Sequence, residues 1–161
     1  MALYVQKFGG TSVGSVERIQ QVADKVKGFR DKGHDIVVVV SAMSGETNRL
    51  IGMANEIQGK PILREMDVLV STGEQVTTAL LCMALAAKDC PARSYTGGQV
   101  KIQTDSSHTK ARIQNIDVEN MRRDLNEGSV VVVAGFQGVD DEGNITTLGR
   151  GGSDTTGVAL A

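Results

Sequence analysis

The chain has 161 residues, about one domain's worth, with a net charge of −2 and a pI near 5.7. Aromatic residues are 3% and Trp is absent, so base-stacking platforms are poorly supplied, and no basic excess is present to hold nucleic acid or anionic lipid. Two Cys and two His, scattered without ligand spacing, exclude a disulfide framework and a Cys/His zinc site and fit a reducing cytoplasm. The first element is a short strand, Leu3–Phe8, broken by Gly9-Gly10. Helical spacing follows at Val16, Ile19, Val22, Val26 and Phe29 and stops at Gly33. Ile36–Val40 is a continuous β-branched run, the pattern of a strand buried on both faces. Thr47–Ile57 reads as a helix, and Gly59-Lys60-Pro61 as a break.

Leu63–Ser71 and Glu74–Lys88 read as two helices separated by Ser71-Thr72-Gly73. The second is apolar nearly all round, so it is expected at the centre of the fold. Ala92–Tyr95 is a strand ending at Gly97-Gly98, and Ala111–Ile116 is another. Val118–Asn126 is a helix closed by Gly128, and Val130–Ala134 is a second buried β-branched strand. Val139 and Ile145–Leu148 flank a polar turn, Asp-Asp-Glu-Gly-Asn, with Asp140, Asp141 and Glu142 expected in solvent. Ser153 and Asp154 are expected to cap a last helix. The final residues carry no stop signal, which gives the expectation of the front part of a longer protein or a truncated one. No signal peptide is indicated at the start, and the longest apolar run, Ala79–Ala87, is nine residues against the ~20 needed to span a bilayer.

This β/α alternation predicts a mainly parallel sheet with helices on both faces. Ligands collect beyond the C-terminal ends of such strands. The polar, glycine-rich segments fall there: Gly9–Ser12, Ser41–Gly45 and Gly135–Gly138. Lys7-Phe8-Gly9-Gly10-Thr11-Ser12 sets a cation beside residues lacking Cβ, two hydroxyls and a helix start, the makings of a phosphate site. It also reads as a Gly-Gly turn with a solvated lysine. It is not a Walker A loop, because Ser15 stands where Lys is required. Ser41–Gly45 reads as a second phosphate contact or as a polar loop with caps at Ser44 and Thr47. Arg150 suits bidentate capture of a carboxylate, and it also reads as an arginine in solvent. Asp154 could hold Lys7, sit near Mg²⁺ or cap a helix. Glu74 could receive an ammonium group or stabilise a helix dipole. His34 and His108 read as surface residues.

Lys7–Ser12, Ser71-Thr72-Gly73-Glu74, Phe136-Gln137-Gly138 and Gly149-Arg150-Gly151-Gly152-Ser153-Asp154, in this order, resemble the aspartate kinase family from Met1 to Ala161. The resemblance implies the amino-acid kinase fold, a three-layer α/β/α sandwich, as one domain over 1–161, incomplete at its C-terminus. It implies ATP- and Mg²⁺-dependent phosphorylation of the L-aspartate side chain to 4-phospho-L-aspartate, towards lysine, threonine and methionine. By the same resemblance, Lys7, Gly9, Gly10, Ser12 and Ser41 meet the ATP phosphates, and Asp154 orients Lys7. Thr47, Glu74, Arg150, Gly151 and Ser153 hold aspartate, with Phe136, Gln137 and Gly138 as a wall of its pocket. Arg150 takes the α-carboxylate and Glu74 the α-ammonium. Family members continue into segments for adenine and ribose and into regulatory ACT domains, so ATP binding by these 161 residues is expected to be weak or lost. A cytoplasmic homo-oligomer without nucleic-acid or membrane partners is expected. The rival readings are a glutamate, acetylglutamate or nucleotide kinase of the same fold, and a non-catalytic binding or assembly fragment. A Rossmann dehydrogenase is disfavoured because no G-x-G-x-x-G follows the first strand.

Overall fold

Two valine-rich runs, Asp35–Val40 (β2) and Val130–Ala134 (β6), lie side by side in parallel at the centre of a sheet, with Val37 opposite Val131 and Val39 opposite Val133. The computed structural model describes residues 1–149 and 151–161. Leu3–Phe8 (β1) pairs in parallel with β2, and Ala92–Tyr95 (β3) pairs in parallel with β6. The order is β1-β2-β6-β3, all parallel. The two central strands are buried on both faces, which is why their sequences lack polar alternation.

Strand pleating divides these valines between two cores. Ile36, Val38, Val40, Val130 and Val132 pack with Ile19, Val22 and Val26 of Val16–Asp31 (α1) and with Leu81 and Leu85 of Thr72–Ala86 (α4). Val37, Val39, Val131 and Val133 face the other way, onto Met121 and Leu125 of Glu119–Asn126 (α5) and Leu160 of Gly152–Leu160 (α6). This is the helix–sheet–helix layering expected from the sequence. Each fully buried aliphatic side chain contributes about 1.5–3 kcal/mol relative to exposure.

The remaining elements are Glu46–Ile57 (α2), Leu63–Val70 (α3), Ile102–Thr104 (β4), Ile113–Ile116 (β5), Gln137–Val139 (β7) and Ile145–Thr147 (β8). The last four of these form a second, mixed sheet in the order β5-β4-β7-β8. β4 has only three residues and no alternation long enough to signal a strand. Ala111, expected in the strand before Ile116, instead makes an isolated bridge to Leu148.

Three local expectations are corrected. Ser71-Thr72-Gly73 is not a three-residue break: α3 and α4 meet at Ser71 alone. Ser71 stays helical (φ −65°, ψ −20°), so Leu63–Ala86 runs on as 24 residues. By length and composition that stretch would suffice to cross a membrane. Here it lies against α1 and the parallel sheet and buries Asp67 and Glu74. Its α4 part is not apolar core throughout, since Val76 (49%) and Met83 (67%) are exposed. Ser44 and Thr47 do not cap α2, and Ser153 and Asp154 do not cap α6. Both N-caps are glycines in the left-handed region, Gly45 (φ 82°) and Gly151 (φ 77°), with no side-chain cap bond. At these turns the chain needs a positive φ, which glycine supplies without Cβ strain.

Candidate functional site

A cleft of about 310 Å³ opens beyond the C-terminal ends of β1, β2 and β6. This is where open parallel sheets bind ligands. Its lining includes Lys7, Gly10, Ser41, Thr47, Glu74, Phe136, Gly151, Ser153 and Asp154. Residues from the first, middle and last parts of the chain therefore share one cavity.

Lys7 sits at the end of β1 with Nζ 2.9 Å from Asp154 Oδ1. Asp154 belongs to the first turn of α6, and its side chain is 71% exposed. The pair is therefore available to incoming charge rather than locked in a core. One residue earlier, Ser153 Oγ meets Ser41 Oγ at 2.9 Å, tying α6 to the end of β2. Gly135, at the end of β6, leaves the room for this contact: a Cβ there would stand 2.8 Å from Ser153 Oγ. The N-terminal turns of α2 and α6 both border the cleft through Gly45 and Gly151. The dipoles of these helix N-termini favour an anion.

Glu74 also lines the cleft. It lies in the first turn of α4 and is 3% exposed. Oε1 accepts a hydrogen bond from the Ala42 N–H at 3.3 Å, and Oε2 is buried without a partner. Burial raises its pKa to about 7, and the N–H groups of Glu74 itself and Ala42 offset only part of that rise. A buried carboxylate oxygen with no donor, in a residue that lines a cleft, leaves an acceptor unmet.

Phe136 completes the cleft in a left-handed backbone conformation, φ 75°. Its N–H donates to Thr156 Oγ1 at 3.1 Å, and its carbonyl accepts from the Leu148 N–H at 2.8 Å. Strain of this kind persists only where neighbours over-determine it. Sequence reasoning misses Thr156; its position one turn after Gly152 is the available signal.

Four expected site residues do not line the cleft. The Ser12 N–H is already bonded to the Gly9 carbonyl in a turn that precedes α1, so Gly9 and Ser12 do not form an open nest on a helix start. Ser15, not the Gly-Gly pair, caps α1 through its hydroxyl. Gln137 is buried and directed away: its Nε2 donates to the Ser71 carbonyl, and its Oε1 accepts from Gly97 N–H. Gly138 sits against Ile102 and Thr104 of the second sheet. Arg150 lies outside the described residues.

Two further readings are corrected. His108 is not a free surface residue: its Nδ1 is 2.7 Å from the buried Asp67 carboxylate. Asp140 is also buried. Burial pushes its pKa up, but hydrogen bonds from Asn144, Ser106 and Glu142 outweigh that and hold it below the usual carboxylate value.

Mg²⁺ takes oxygen donors, commonly one or two carboxylates together with substrate phosphates. The exposed Asp154 carboxylate and the hydroxyls of Ser41 and Ser153 are donors of that type. They fit a cation that arrives with a phosphate ligand.

Comparison with known proteins shows the family and the fold. Residues 2–161 match the model of the "Amino acid kinase family". The chain is 74% identical over 161 residues to an aspartokinase of Pseudomonas aeruginosa and 73% identical to an aspartate kinase of Stutzerimonas stutzeri. It spans about 39% of the length of these curated relatives. Among solved structures, aspartate kinase from Synechocystis superposes with a TM-score of 0.82 at 51% identity, over 99% of this chain and 26% of that one. Escherichia coli aspartokinase III in complex with aspartate and ADP also gives 0.82, at 26% identity, over 96% of this chain and 45% of that one.

Proposed function

This chain belongs to the amino acid kinase family, and from that premise we propose that it carries the aspartate- and phosphate-binding part of an aspartate kinase, which transfers the γ-phosphoryl group of ATP to the side-chain carboxylate of L-aspartate. The observation that carries the reading is that one cleft is lined both by Glu74, whose Oε2 is unpartnered, and by the Lys7–Asp154 pair. A free amino acid offers an ammonium group to the first and an anion towards the second. An acetylated amino acid has no ammonium for Glu74. The E. coli relative bound to aspartate and ADP supports the same ligand classes.

The chemistry asks little of proton transfer. The aspartate carboxylate has a reference pKa near 3.9 and is ionised at neutral pH. Its oxygen bonds to the γ-phosphorus while the bond to the bridging oxygen breaks, and ADP leaves with that electron pair. Positioning and charge stabilisation therefore dominate. Lys7, held by Asp154, faces the phosphates, and the α2 and α6 N-termini reduce repulsion between the two anions. Ser41 and Gly10 border the phosphate region. Thr47, Gly151 and Ser153 serve aspartate, and Arg150 takes its α-carboxylate. Mg²⁺ supplies neutralisation of the triphosphate when bound. The reading extends to a single domain over 1–161 in a cytoplasmic homo-oligomer.

The test is an ADP-release assay on the complete protein with L-aspartate, L-glutamate and N-acetyl-L-glutamate. Turnover is expected with aspartate, and Lys7→Ala should lower kcat by roughly 10²–10³. Turnover with acetylglutamate and none with aspartate would overturn the assignment. Undiminished kcat in Lys7→Ala would remove Lys7 from the mechanism. Absence of turnover with all three would favour a non-catalytic binding module.

A further inference from the structure

Asp67 is 0% exposed, yet it carries a carboxylate. Four donor groups converge on it. His108 Nδ1 lies at 2.7 Å, the Thr109 N–H at 3.1 and 3.2 Å from the two oxygens, the Thr147 N–H at 3.1 Å and the Thr147 hydroxyl at 2.6 Å. A carboxylate placed this deeply is costly unless every lone pair is met, and here the donors come from β8 and from the segment around His108 and Thr109. None of these groups borders the cleft described above.

Their placement along the helix gives them a role. Because Ser71 remains helical, Asp67, Ser71 and Glu74 fall at i, i+4 and i+7, on one face of a continuous helical stretch. At 1.5 Å per residue the ends of this series are about 10 Å apart. Each member is fastened to a different part of the site. Asp67 holds Thr147 of β8, the Ser71 carbonyl holds Gln137 of β7, and Glu74 holds the Ala42 N–H beyond β2. Thr147 and Gln137 are paired across the β7–β8 ladder. The next amide, Leu148 N–H, fixes the carbonyl of Phe136, and Gly149 then enters the cleft.

Resting on the aspartate kinase reading, we infer that Asp67 is a positioning residue: through Thr147 it sets where Phe136 and Gly149 stand relative to Glu74, and so the width of the amino-acid subsite. Asp67 touches no substrate. Its effect falls on the aspartate side of the cleft rather than on Lys7, which stands on β1.

The experiment compares Asp67→Asn, Thr147→Val and Thr147→Ser in the complete protein. Asp67→Asn should raise KM for aspartate roughly tenfold, the scale of one lost hydrogen bond to a charged group, with KM for ATP within about twofold. Thr147→Val should follow it, and Thr147→Ser, which keeps the hydroxyl, should stay near the parent. Amide hydrogen exchange at Leu148 should quicken in both disabling variants while amides of α1 keep their rates. Equal loss towards both substrates, or an unchanged aspartate KM in a folded variant, would overturn the inference. If Asp67→Asn does not fold, the two Thr147 variants decide. If the parent does not phosphorylate aspartate, the kinase reading fails, while the exchange comparison still decides whether Asp67 controls Leu148.

Discussion

A carboxyl group removed from water resists ionisation, and Glu74 meets this condition with one oxygen unpartnered. Its pKa near 7 stands above the ordinary 4.5. Between those two values the folded chain holds a proton that the unfolded chain has released. Stability therefore falls as pH rises through that window, and the loss is complete above about 7, on the order of 3 kcal/mol at most. Glu74→Gln removes the ionisation. The variant should match the parent near pH 4.5 and exceed it at about pH 8, as read from urea midpoints. Equal midpoints at both pH values would mean that Glu74 is solvated. The same residue shows what sequence reading reaches at this scale. Acid and cation are identifiable as chemical types at Glu74, Lys7 and Asp154. That Glu74 is buried and that Asp154 is largely exposed follows from neighbours distant in sequence.

At the scale of the element, helix propensity and tertiary space give opposite answers for two glycines. Gly28 lies inside α1, and a Cβ added there would have nothing within 4 Å, so Gly28→Ala should stabilise the chain by about 0.5–1 kcal/mol. Gly73 lies in the first turn of α4, where a Cβ would stand 2.8 Å from Ala42 Cβ. Gly73→Ala should destabilise by about 1–3 kcal/mol despite its better propensity. Thermal or urea unfolding of the two variants checks both signs, and stabilisation by Gly73→Ala would show that the Ala42 loop yields. Strands and helices with long periodic runs, such as β2, β6 and α1, are legible because local pattern and burial agree. β4 and the caps at Gly45 and Gly151 are not, because a three-residue strand has no period and a left-handed cap leaves only a glycine as its mark.

At the largest scale, the parallel sheet is bounded by β1 and β3, each with one strand neighbour among the described residues. Its outer helices α1 and α4 also present Val16 (61%), Val76 and Met83 to solvent. Open edges and exposed apolar side chains favour association. Light scattering at rising concentration should therefore report multiples of the 17.0 kDa chain mass. A constant 17.0 kDa would remove the homo-oligomer from the functional reading.

By itself the amino-acid order determined the β/α alternation, the two doubly buried valine strands and the chemical types that could meet phosphate and an amino acid. These are written in residues close together in the chain, where side-chain period and turn chemistry act directly. The resemblance already implies that Asp154 orients Lys7; only the tertiary structure decided that Asp154 is largely exposed in that pair, that Gln137 bonds the Ser71 carbonyl, and that Asp67 and His108 are joined in the interior. Those outcomes depend on which groups lose water together, and solvent exclusion is a property of the packed whole rather than of any local segment.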